Sequence, residues 1–312
     1  MIKVSVIVAT YKQEKYIGKA LDSILTQKCD FDYEVIVGDD ASPDGTGEIV
    51  KKYGDAHPGK IKAIAREKNL GAFKNFKDLY SRAQGEYLAF LEGDDYWIDE
   101  NKLRKQVEFL DSHKDYVASF GKCIVVDENN DRKEEIEQYI PWFKGGLYTA
   151  EEFENYYLPG QTATVMYRKS AVDQLFSQIK KDWRLMPRVP VIDRFLVLGM
   201  LSKGKIDTST DVYAAYRYIL KKESGSWSSK HDFYSFKNVI FFLYGMKEME
   251  RVAKRLGVPL SFDARRKSEF EKVACYKGQM PMIAINAVRF FIWLWYKDRR
   301  DFNAFMQERH KA

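Results

Sequence analysis

Cysteine and histidine are scarce in this chain, which limits the kinds of site that the sequence can build. Among 312 residues there are three cysteines and four histidines. The cysteines are odd in number, far apart and outside any CxxC spacing, so they indicate neither a disulfide framework nor a zinc knuckle, and a reducing cytoplasm fits them. They are Cys29, Cys123 and Cys275. The histidines are scattered as well, so no cluster of imidazole ligands is predicted. They are His57, His113, His231 and His310.

Long apolar runs are also lacking. The N-terminal apolar run ends at Thr10, which is too short for a signal peptide. Near the C-terminus, the uncharged runs 278–288 and 290–296 are separated by Arg289 and fall short of the ~20 residues that a membrane span needs. The aromatic and basic residues of 293–300 are typical of a helix lying on an anionic membrane, and equally of a helix packed on the folded domain.

Charge of one sign is concentrated in the last quarter of the sequence. The net charge is +6, and residues 231–312 carry 16 Lys and Arg against 9 Asp and Glu, which leaves residues 1–230 at −1. A basic surface attracts polyanions such as nucleic acid, anionic lipid head groups and diphosphate-bearing substrates. Charge alone does not choose among these partners.

Strands and amphipathic helices alternate in the first hundred residues. Short apolar, β-branched runs are separated by segments of helical periodicity. The runs read VSVIVAT, YEVIVGDD, IKAIA and EYLAFL. Strict alternation of this kind predicts an α/β fold, an open and mostly parallel sheet with helices on both faces. We predict a domain over 1–228, with halves at about 1–100 and 101–228, and a helical C-terminal extension over 229–312.

Polar side chains follow three of the predicted strands. In open α/β sheets ligands bind outside the carboxyl ends of the strands, so these side chains are expected to meet at one crevice. They are Thr10 with Tyr11, Asp39 with Asp40, and Glu92, Asp94 and Asp95. Clustered carboxylates repel unless a cation or a set of donors offsets their charge, and Mg²⁺ and Mn²⁺ prefer such oxygen ligands. A plain turn followed by a helix N-cap explains the same residues without a metal.

Four segments together resemble the family-2 inverting glycosyltransferases of GT-A fold. They are VSVIVATYKQEKYIGKALDSILTQ, VIVGDDASPDGT, NLGAFKNFKDLYSRAQGEYLAFLEGDDYW and VIDRFLVLGMLSKGKI, in this order. The likeness covers about the first 220 residues. It is greatest to bacterial members that serve surface polysaccharide synthesis and carry an EGDDYW form of the DxD motif.

The resemblance implies roles for individual residues. The donor-binding set is Thr10, Tyr11, Glu14, Asp39, Asp40, Asn69, Gly71 and Asp94, with Asp39 and Asp40 at the base and ribose. Asp94 and Asp95 would hold a divalent cation, Mn²⁺ or Mg²⁺, against the donor diphosphate. Asp193 matches the general base, although a carboxylate in the first turn of a helix is also favourable for the helix dipole alone.

Two features near residue 220 depart from the family or lack a clear counterpart. Relatives often carry Arg-x-His after the last strand, whereas here Ile219 stands two residues after Arg217, at the position of that histidine. Arg217, or a lysine of the following loop, is expected to supply positive charge to the donor site instead. Trp227, within the Gly- and Ser-rich ESGSWSSK, fits a lid that closes over the donor and equally a half-buried tryptophan of a surface loop.

The resemblance implies an enzyme that transfers a sugar from a nucleotide-diphosphate donor, a UDP-sugar, to a saccharide or lipid-linked glycan acceptor. The expected location is the cytoplasm, with peripheral contact to the inner face of the anionic membrane and with no nucleic-acid partner. Two other hypotheses stay open: a sugar nucleotidyltransferase, although ATYKQEKYIG lacks the Gly-rich basic loop of that class, and a non-catalytic nucleotide-sugar-binding module. A dinucleotide-dependent oxidoreductase would need GxGxxG after the first strand, which is absent.

Overall fold

The computed structural model describes residues 1–137, 145–188, 191–219, 236–266 and 268. The strands are β1 Val4–Thr10, β2 Tyr33–Asp39, β3 Ile61–Ala65, β4 Tyr87–Glu92, β5 Tyr96–Trp97, β6 Tyr116–Val126, β7 Gly146–Tyr148, β8 Met166–Arg168 and β9 Lys205–Arg217. The helices are α1 Ile17–Leu25, α2 Thr46–Ala56, α3 Ala72–Ser81, α4 Lys102–Ser112, α5 Glu134–Glu137, α6 Ala150–Phe153, α7 Lys169–Lys181, α8 Ile192–Leu201 and α9 Phe236–Leu256. Short 3₁₀ turns occur at Thr162–Thr164 and Trp183–Leu185.

The described strands form one mixed sheet. Its order is β3-β2-β1-β4-β8-β6-β9-β5, and β7 pairs with β9 outside this path. Strands β1 to β4 are parallel to one another, as the strand and helix alternation predicts. Strand β8 enters antiparallel between β4 and β6, and β5 and β7 run antiparallel to β9. The second half of the sheet is therefore mixed, because its short strands are not all linked by crossover helices.

The sheet carries an apolar core on each face. Strand β1 is buried along almost its whole length, because alternate side chains enter opposite cores. Val6 packs with Ile17 and Leu21 of α1 on one face, and Ile7 packs with Leu79 of α3 on the other. Helices on both faces are thus confirmed, and the nearly all-apolar sequence of β1 follows from its burial on both sides.

Helix α9 lies in the range predicted as a C-terminal extension. Its buried Met246, Met249 and Val252 belong to the same core cluster as Phe195 of α8. Within the part of the chain that the structure describes, no helix combines the length and apolar character needed to cross a bilayer. The aromatic and basic segment 278–300 lies outside the described residues.

Short helices and caps shape the second half of the chain. A capping box of Thr149 and Glu152 opens α6, where the Thr149 N–H donates to Glu152 Oε2 over 3.1 Å. The segment VIDRFLVLGMLSKG contains α8, which begins at Ile192. Pro190 lies outside the described residues. The charged segment after β6 contains the short helix α5.

Candidate active site

The carboxyl ends of three parallel strands meet at one edge of the sheet, as the sequence predicts. In the strand register Thr10 pairs with Asp39 and Ala9 pairs with Glu92. Thr10, Asp39 and Asp40 are all 3 % exposed. Because parallel strands end at the same side, the polar residues that follow them share one crevice.

Asp40 holds the loop that leads into α3. Its Oδ1 accepts from the Leu70 N–H and its Oδ2 from the Gly71 N–H, both over 2.8 Å, and the Asn69 Nδ2 donates to the Asp40 carbonyl over 2.8 Å. Gly71 has a φ of +84°, a conformation that glycine adopts without strain. The structure therefore brings Asn69 and Gly71 beside Asp40, which binds Asn69 through its backbone carbonyl and Gly71 through its carboxylate.

Asp39 and Glu14 fix the turn that follows β2. Asp39 Oδ2 accepts from the Ser42 N–H over 3.1 Å, and its Oδ1 accepts from the Ser42 hydroxyl. Glu14 Oε2 accepts from the Gly45 N–H over 3.1 Å. The loop after β1 and the turn after β2 are thus bound to each other at the crevice. Tyr11, in the first of these loops, is half-buried.

The loop after β1 also contacts the acidic loop after β4. The Thr10 hydroxyl donates to Gln13 Oε1 over 2.6 Å. A Cβ at position 93 would lie 2.6 Å from Thr10 Oγ1 and 2.4 Å from Gln13 Oε1, so Gly93 allows an approach that a larger residue would block. The sequence analysis did not select Gln13, although a glycine between two acidic residues is a signal for such a close approach.

The acidic loop contains three carboxylates sheltered from water. Asp94 is 9 % exposed and Asp95 is 2 % exposed. Burial raises the pKa of Glu92 to about 7, with a further rise from the charge of Asp94. Burial also raises the pKa of Asp94, and burial together with Asp94 and Glu92 raises that of Asp95 well above its usual range. The repulsion that the sequence implies is therefore present in the fold.

Arg217, the last residue of β9, contacts this acidic loop. Its backbone N–H donates to Asp95 Oδ1 and its Nε donates to the Asp94 carbonyl, each over 2.8 Å. Its Nη2 donates to Asn130 Oδ1 over 2.8 Å, and its guanidinium lies 4.3 Å from the ring centroid of Tyr16. Arg217 is 1 % exposed, so the contacts described for it stabilise the loop. Donor contact by Arg217 stays a prediction.

Asp193 lies in the first turn of α8 and is electrostatically linked to the acidic loop. Its charge is one of the smaller contributions to the raised pKa of Glu92, after burial and Asp94. Its side chain is 35 % exposed. Arg194 contacts both of its oxygens, through the backbone N–H to Oδ1 over 2.7 Å and through Nη1 to Oδ2 over 3.2 Å. The sequence analysis missed Arg194, although a cation adjacent to the candidate base was visible in IDRF.

A divalent cation bound at the acidic loop would have few protein ligands. Among the described residues, no three Asp, Glu, His or Cys side chains gather into a complete metal cage. Asp94 and Asp95 are adjacent and sheltered, and Glu92 Oε2 is buried with no hydrogen-bond partner. Mg²⁺ commonly takes only one or two carboxylates and completes its shell with phosphates and water. The residues present therefore fit a cation that is shared with a diphosphate.

Comparison with known families adds to this geometry. The sequence profile described as glycosyl transferase family 2 matches residues 5–176, more than half of the chain. The protein belongs to glycosyl transferase family 2. The match covers β1 to β8 and most of α7, and therefore includes the acidic loop.

Relatives of this family 2 member include named glycosyltransferases. It is 35 % identical to the putative glycosyltransferase EpsE of Bacillus subtilis over 261 residues, 83 % of this chain and 84 % of EpsE. It is also 35 % identical to an uncharacterised protein of Mycobacterium tuberculosis over 228 residues, 73 % of this chain. That alignment covers only 61 % of the mycobacterial protein.

Solved structures share the fold. Residues 1–349 of TarS from S. aureus, in complex with UDP-GlcNAc, match 94 % of this chain and 81 % of that chain with a TM-score of 0.61 and 22 % identity. A mannosyltransferase from Pyrobaculum calidifontis, in complex with GDP-Man and Mn²⁺, matches 96 % of this chain and 82 % of that chain with a TM-score of 0.55 and 17 % identity. At these identities the likeness confirms the α/β fold expected for a GT-A protein.

The structure thus places most of the predicted site residues at one end of the sheet. Those described around the crevice are Thr10, Tyr11, Glu14, Asp39, Asp40, Asn69, Gly71, Asp94, Asp95 and Arg217, and the charge of Asp193 contributes to the raised pKa of Glu92. Trp227, the proposed lid residue, lies outside the described residues. Ile219, which stands where relatives often carry histidine, is 1 % exposed.

Proposed function

We propose that this family 2 member transfers a sugar from a nucleotide-diphosphate sugar, specifically a UDP-sugar, to a saccharide acceptor with inversion at the anomeric carbon. The observation that carries the proposal is the meeting of three elements at one sheet edge. These are the loop held by Asp40, the sheltered carboxylates Asp94 and Asp95, and Asp193, whose charge contributes to the raised pKa of Glu92. They correspond to a nucleotide site, a diphosphate site and a base.

The nucleotide belongs in the part of the crevice lined by β1 and β2. Thr10 ends β1 and Tyr11 and Glu14 follow it, while Asp39 ends β2 and Asp40 follows it, so base and ribose would contact this part of the protein. Bound UDP-GlcNAc in TarS and GDP-Man in the mannosyltransferase support a nucleotide sugar as donor. We favour UDP because TarS, whose solved structure contains UDP-GlcNAc, is also a relative with 38 % identity over 117 residues. Its full name is poly(ribitol-phosphate) beta-N-acetylglucosaminyltransferase.

Asp94 and Asp95 would hold Mn²⁺ or Mg²⁺ beside the donor diphosphate. When bound, such a cation neutralises negative charge on the leaving nucleotide. The protein contributes two sheltered carboxylates, and Arg217 keeps their loop in place from behind. A cage of three protein ligands is unnecessary, because phosphate oxygens and water complete the shell.

Asp193 is the proposed general base. Its carboxylate removes the proton of an acceptor hydroxyl while that oxygen attacks the anomeric carbon from the face opposite the nucleotide. The new glycosidic bond forms as the bond from the anomeric carbon to the diphosphate oxygen breaks, and the electron pair leaves with the nucleotide. The proton remains on Asp193 until water takes it. A partly exposed carboxylate suits this role, because it must meet an incoming acceptor.

The acceptor that we propose is a growing, lipid-linked glycan of a bacterial surface polysaccharide. Relatives in this pathway class include a putative teichuronic acid biosynthesis glycosyltransferase of Bacillus subtilis, 39 % identical over 107 residues. The net charge of +7 in residues 231–312 would favour peripheral contact with an anionic membrane at the cytoplasmic face.

A panel of nucleotide sugars tests the proposal. Purified protein with Mn²⁺ is offered UDP-glucose, UDP-galactose, UDP-N-acetylglucosamine, UDP-N-acetylgalactosamine and GDP-mannose, and nucleotide release and thermal stabilisation are measured. We expect one UDP-sugar to stabilise the fold and to be turned over. Asp193→Asn should bind that donor and lose turnover. Full turnover in this variant would exclude Asp193 as the base, and a wild-type protein that turns over no donor would contradict the function itself.

A further inference from the structure

Arg194 is the only described ion-pair partner of Asp193, and it contacts both oxygens of that carboxylate. The Arg194 N–H donates to Asp193 Oδ1 over 2.7 Å, and Nη1 donates to Oδ2 over 3.2 Å. Two donors on two oxygens restrict the rotation of a carboxylate, because turning the group breaks both contacts. The orientation of Asp193 is therefore set by its neighbour in sequence.

Aromatic rings hold the Arg194 guanidinium from behind. It lies 4.4 Å from the ring centroid of Tyr156 and 6.0 Å from that of Phe242, a residue of α9. These two rings pack edge to face with their centroids 6.1 Å apart, and the ring centroids of Tyr156 and Phe262 are 5.3 Å apart. Tyr156 is 4 % exposed and belongs to the main core. The guanidinium thus packs on two aromatic rings, and cation–π attraction and packing fix its position.

Hydrogen bonding of Arg194 depends strongly on Asp193. Its side chain is 19 % exposed, and among the described residues its ion-pair partner is Asp193. The buried Nε has no hydrogen-bond partner. The Tyr156 hydroxyl, also buried, has none either, so it does not accept a hydrogen bond from Arg194 in this arrangement. A sheltered cation with a single anionic partner stays with that partner, because separation would leave an unpaired charge.

We propose that Arg194 is a positioning residue for the general base and that α9, through Phe242, takes part in holding it. The inference rests on the proposed function, since it assigns Arg194 to the base of that reaction. Arg194 orients Asp193 through its contacts with both carboxylate oxygens. The family profile matches residues 5–176, and helix α9 lies after this range. The contact between Arg194 and Phe242 is therefore not part of the segment that the profile describes.

Replacing the guanidinium of Arg194 tests whether this residue positions the base or binds the donor, because the two roles affect kcat and KM differently. Arg194→Met keeps a long apolar side chain but removes both side-chain charge and the Nη1 contact. We expect kcat for the panel donor to fall by about 10- to 100-fold, since a small displacement of a catalytic group costs that much. The donor KM and the Kd for UDP in Mn²⁺ should not change. A raised KM or Kd would show that Arg194 contacts the donor, and an unchanged kcat would remove it from the mechanism.

Two further variants keep the test decisive if Arg194→Met folds poorly. Arg194→Lys retains the charge without the planar fork, so we expect partial recovery of kcat. Phe242→Leu should lower kcat by about 2- to 5-fold at constant KM, in line with the modest worth of one cation–π contact. An unchanged kcat in Phe242→Leu would exclude α9. Arg104→Met, which removes a surface ion pair with Glu108 on α4, is the matched control and should leave kcat unchanged.

The outcomes distinguish this inference from the proposed function. Full turnover in Asp193→Asn overturns the base assignment, whatever Arg194 does. Loss of turnover in Asp193→Asn together with full turnover in Arg194→Met overturns only the positioning role. A crystal structure of Arg194→Met gives a readout that does not depend on activity, because we expect Asp193 to change its side-chain torsion there. An unmoved Asp193 would contradict the inference.

Discussion

Arg217 and Asp95 are joined through the backbone of one and the carboxylate of the other, with 2.8 Å between the Arg217 N and Asp95 Oδ1. The guanidinium of the same arginine donates to the Asp94 carbonyl, so strand β9 holds the acidic loop at two points. Only one oxygen of Asp95 is used in this way. The fold therefore fixes the loop while it leaves carboxylate oxygens for another ligand, which is the arrangement that a shared cation requires.

The first prediction concerns the metal. Asp94→Asn and Asp95→Asn should each weaken UDP binding in Mn²⁺ by about 10-fold or more, because an amide is a poor substitute for a carboxylate at a hard cation. UDP binding in EDTA should be the same as for the wild-type protein. Isothermal titration calorimetry in the two buffers measures both quantities.

Asp99 provides the matched control for the metal prediction. It belongs to the same acidic stretch, but its carboxylate is bound to Lys105 over 2.9 Å. Asp99→Asn should leave the Mn²⁺ dependence of UDP binding unchanged. If Asp94→Asn and Asp95→Asn behaved like Asp99→Asn, the metal assignment would be wrong.

The second prediction concerns the approach of two loops at Gly93. Gly93→Ala would place a Cβ within 2.6 Å of Thr10 Oγ1, so the loops must separate. We expect the Kd for UDP to rise by about 10-fold, because a small misplacement of binding groups is costly. The change is measured by the same calorimetric titration.

Gly18 is the control for this substitution. Gly18 lies in α1, and a Cβ at this position would have Tyr53 Oη of α2 as its neighbour, at an ordinary contact distance of 3.5 Å. Gly18→Ala should keep UDP affinity and raise stability by up to about 1 kcal/mol, since alanine favours helix over glycine. Equal UDP affinity in Gly93→Ala and Gly18→Ala would show that the loop contact does not matter for the nucleotide.

The third prediction concerns Asp40 and its loop. Asp40→Asn replaces one acceptor oxygen by an amide N–H group, which must then face the N–H of Leu70 or Gly71. Leaving a buried donor unpaired costs about 1–3 kcal/mol, so stability should fall by that order. UDP affinity should fall too, because the loop 69–71 loses its attachment. Urea unfolding and UDP titration measure the two effects, and retention of both would contradict the role given to Asp40.

Part of this site could be predicted from sequence. Thr10, Asp39 and Glu92 end strands whose apolar pattern is clear. Parallel strands end on one side of a sheet, so the convergence of these residues could be predicted from the sequence alone. The approach of Gly93 to Gln13 and the packing of Arg194 on Tyr156 join residues far apart in the chain, and no local pattern specifies them. Strands of two and three residues, such as β5 and β7, are too short to show a period.

The last prediction concerns Lys102, a buried lysine in the first turn of α4. It is 0 % exposed, its Nζ donates to Gln106 Oε1 over 2.8 Å, and its Nζ lies 4.4 Å from the ring centroid of Trp97. Burial lowers its pKa from 10.5 to about 7. Between these values the unfolded chain carries the proton and the folded protein does not, so the unfolded state is favoured.

The sign of the resulting pH dependence follows. Above pH 10.5 Lys102 is neutral in both states, and its burial does not lower the free energy of unfolding. As the pH falls from 10.5 to about 7, the unfolded chain binds a proton that the folded protein does not, so the free energy of unfolding decreases. Below about pH 7 this loss of stability is constant. Lys102→Met removes this penalty and is expected to be more stable than the wild-type protein at pH 7. The advantage should shrink by about 1.4 kcal/mol for each pH unit between 7 and 10. Urea unfolding at several pH values measures the difference in free energy.

Lys105 is the control on the same helix, because it is partly exposed and paired with Asp99 and Asp211. These partners raise the pKa of Lys105, which is the opposite direction to Lys102. Lys105→Met should therefore be less stable than the wild-type protein at pH 7, with no gain to lose as the pH rises. If Lys102→Met were also destabilised at pH 7 and its deficit did not vary up to pH 10, Lys102 would not be neutral in the folded protein, and the assignment of its charge state would be wrong.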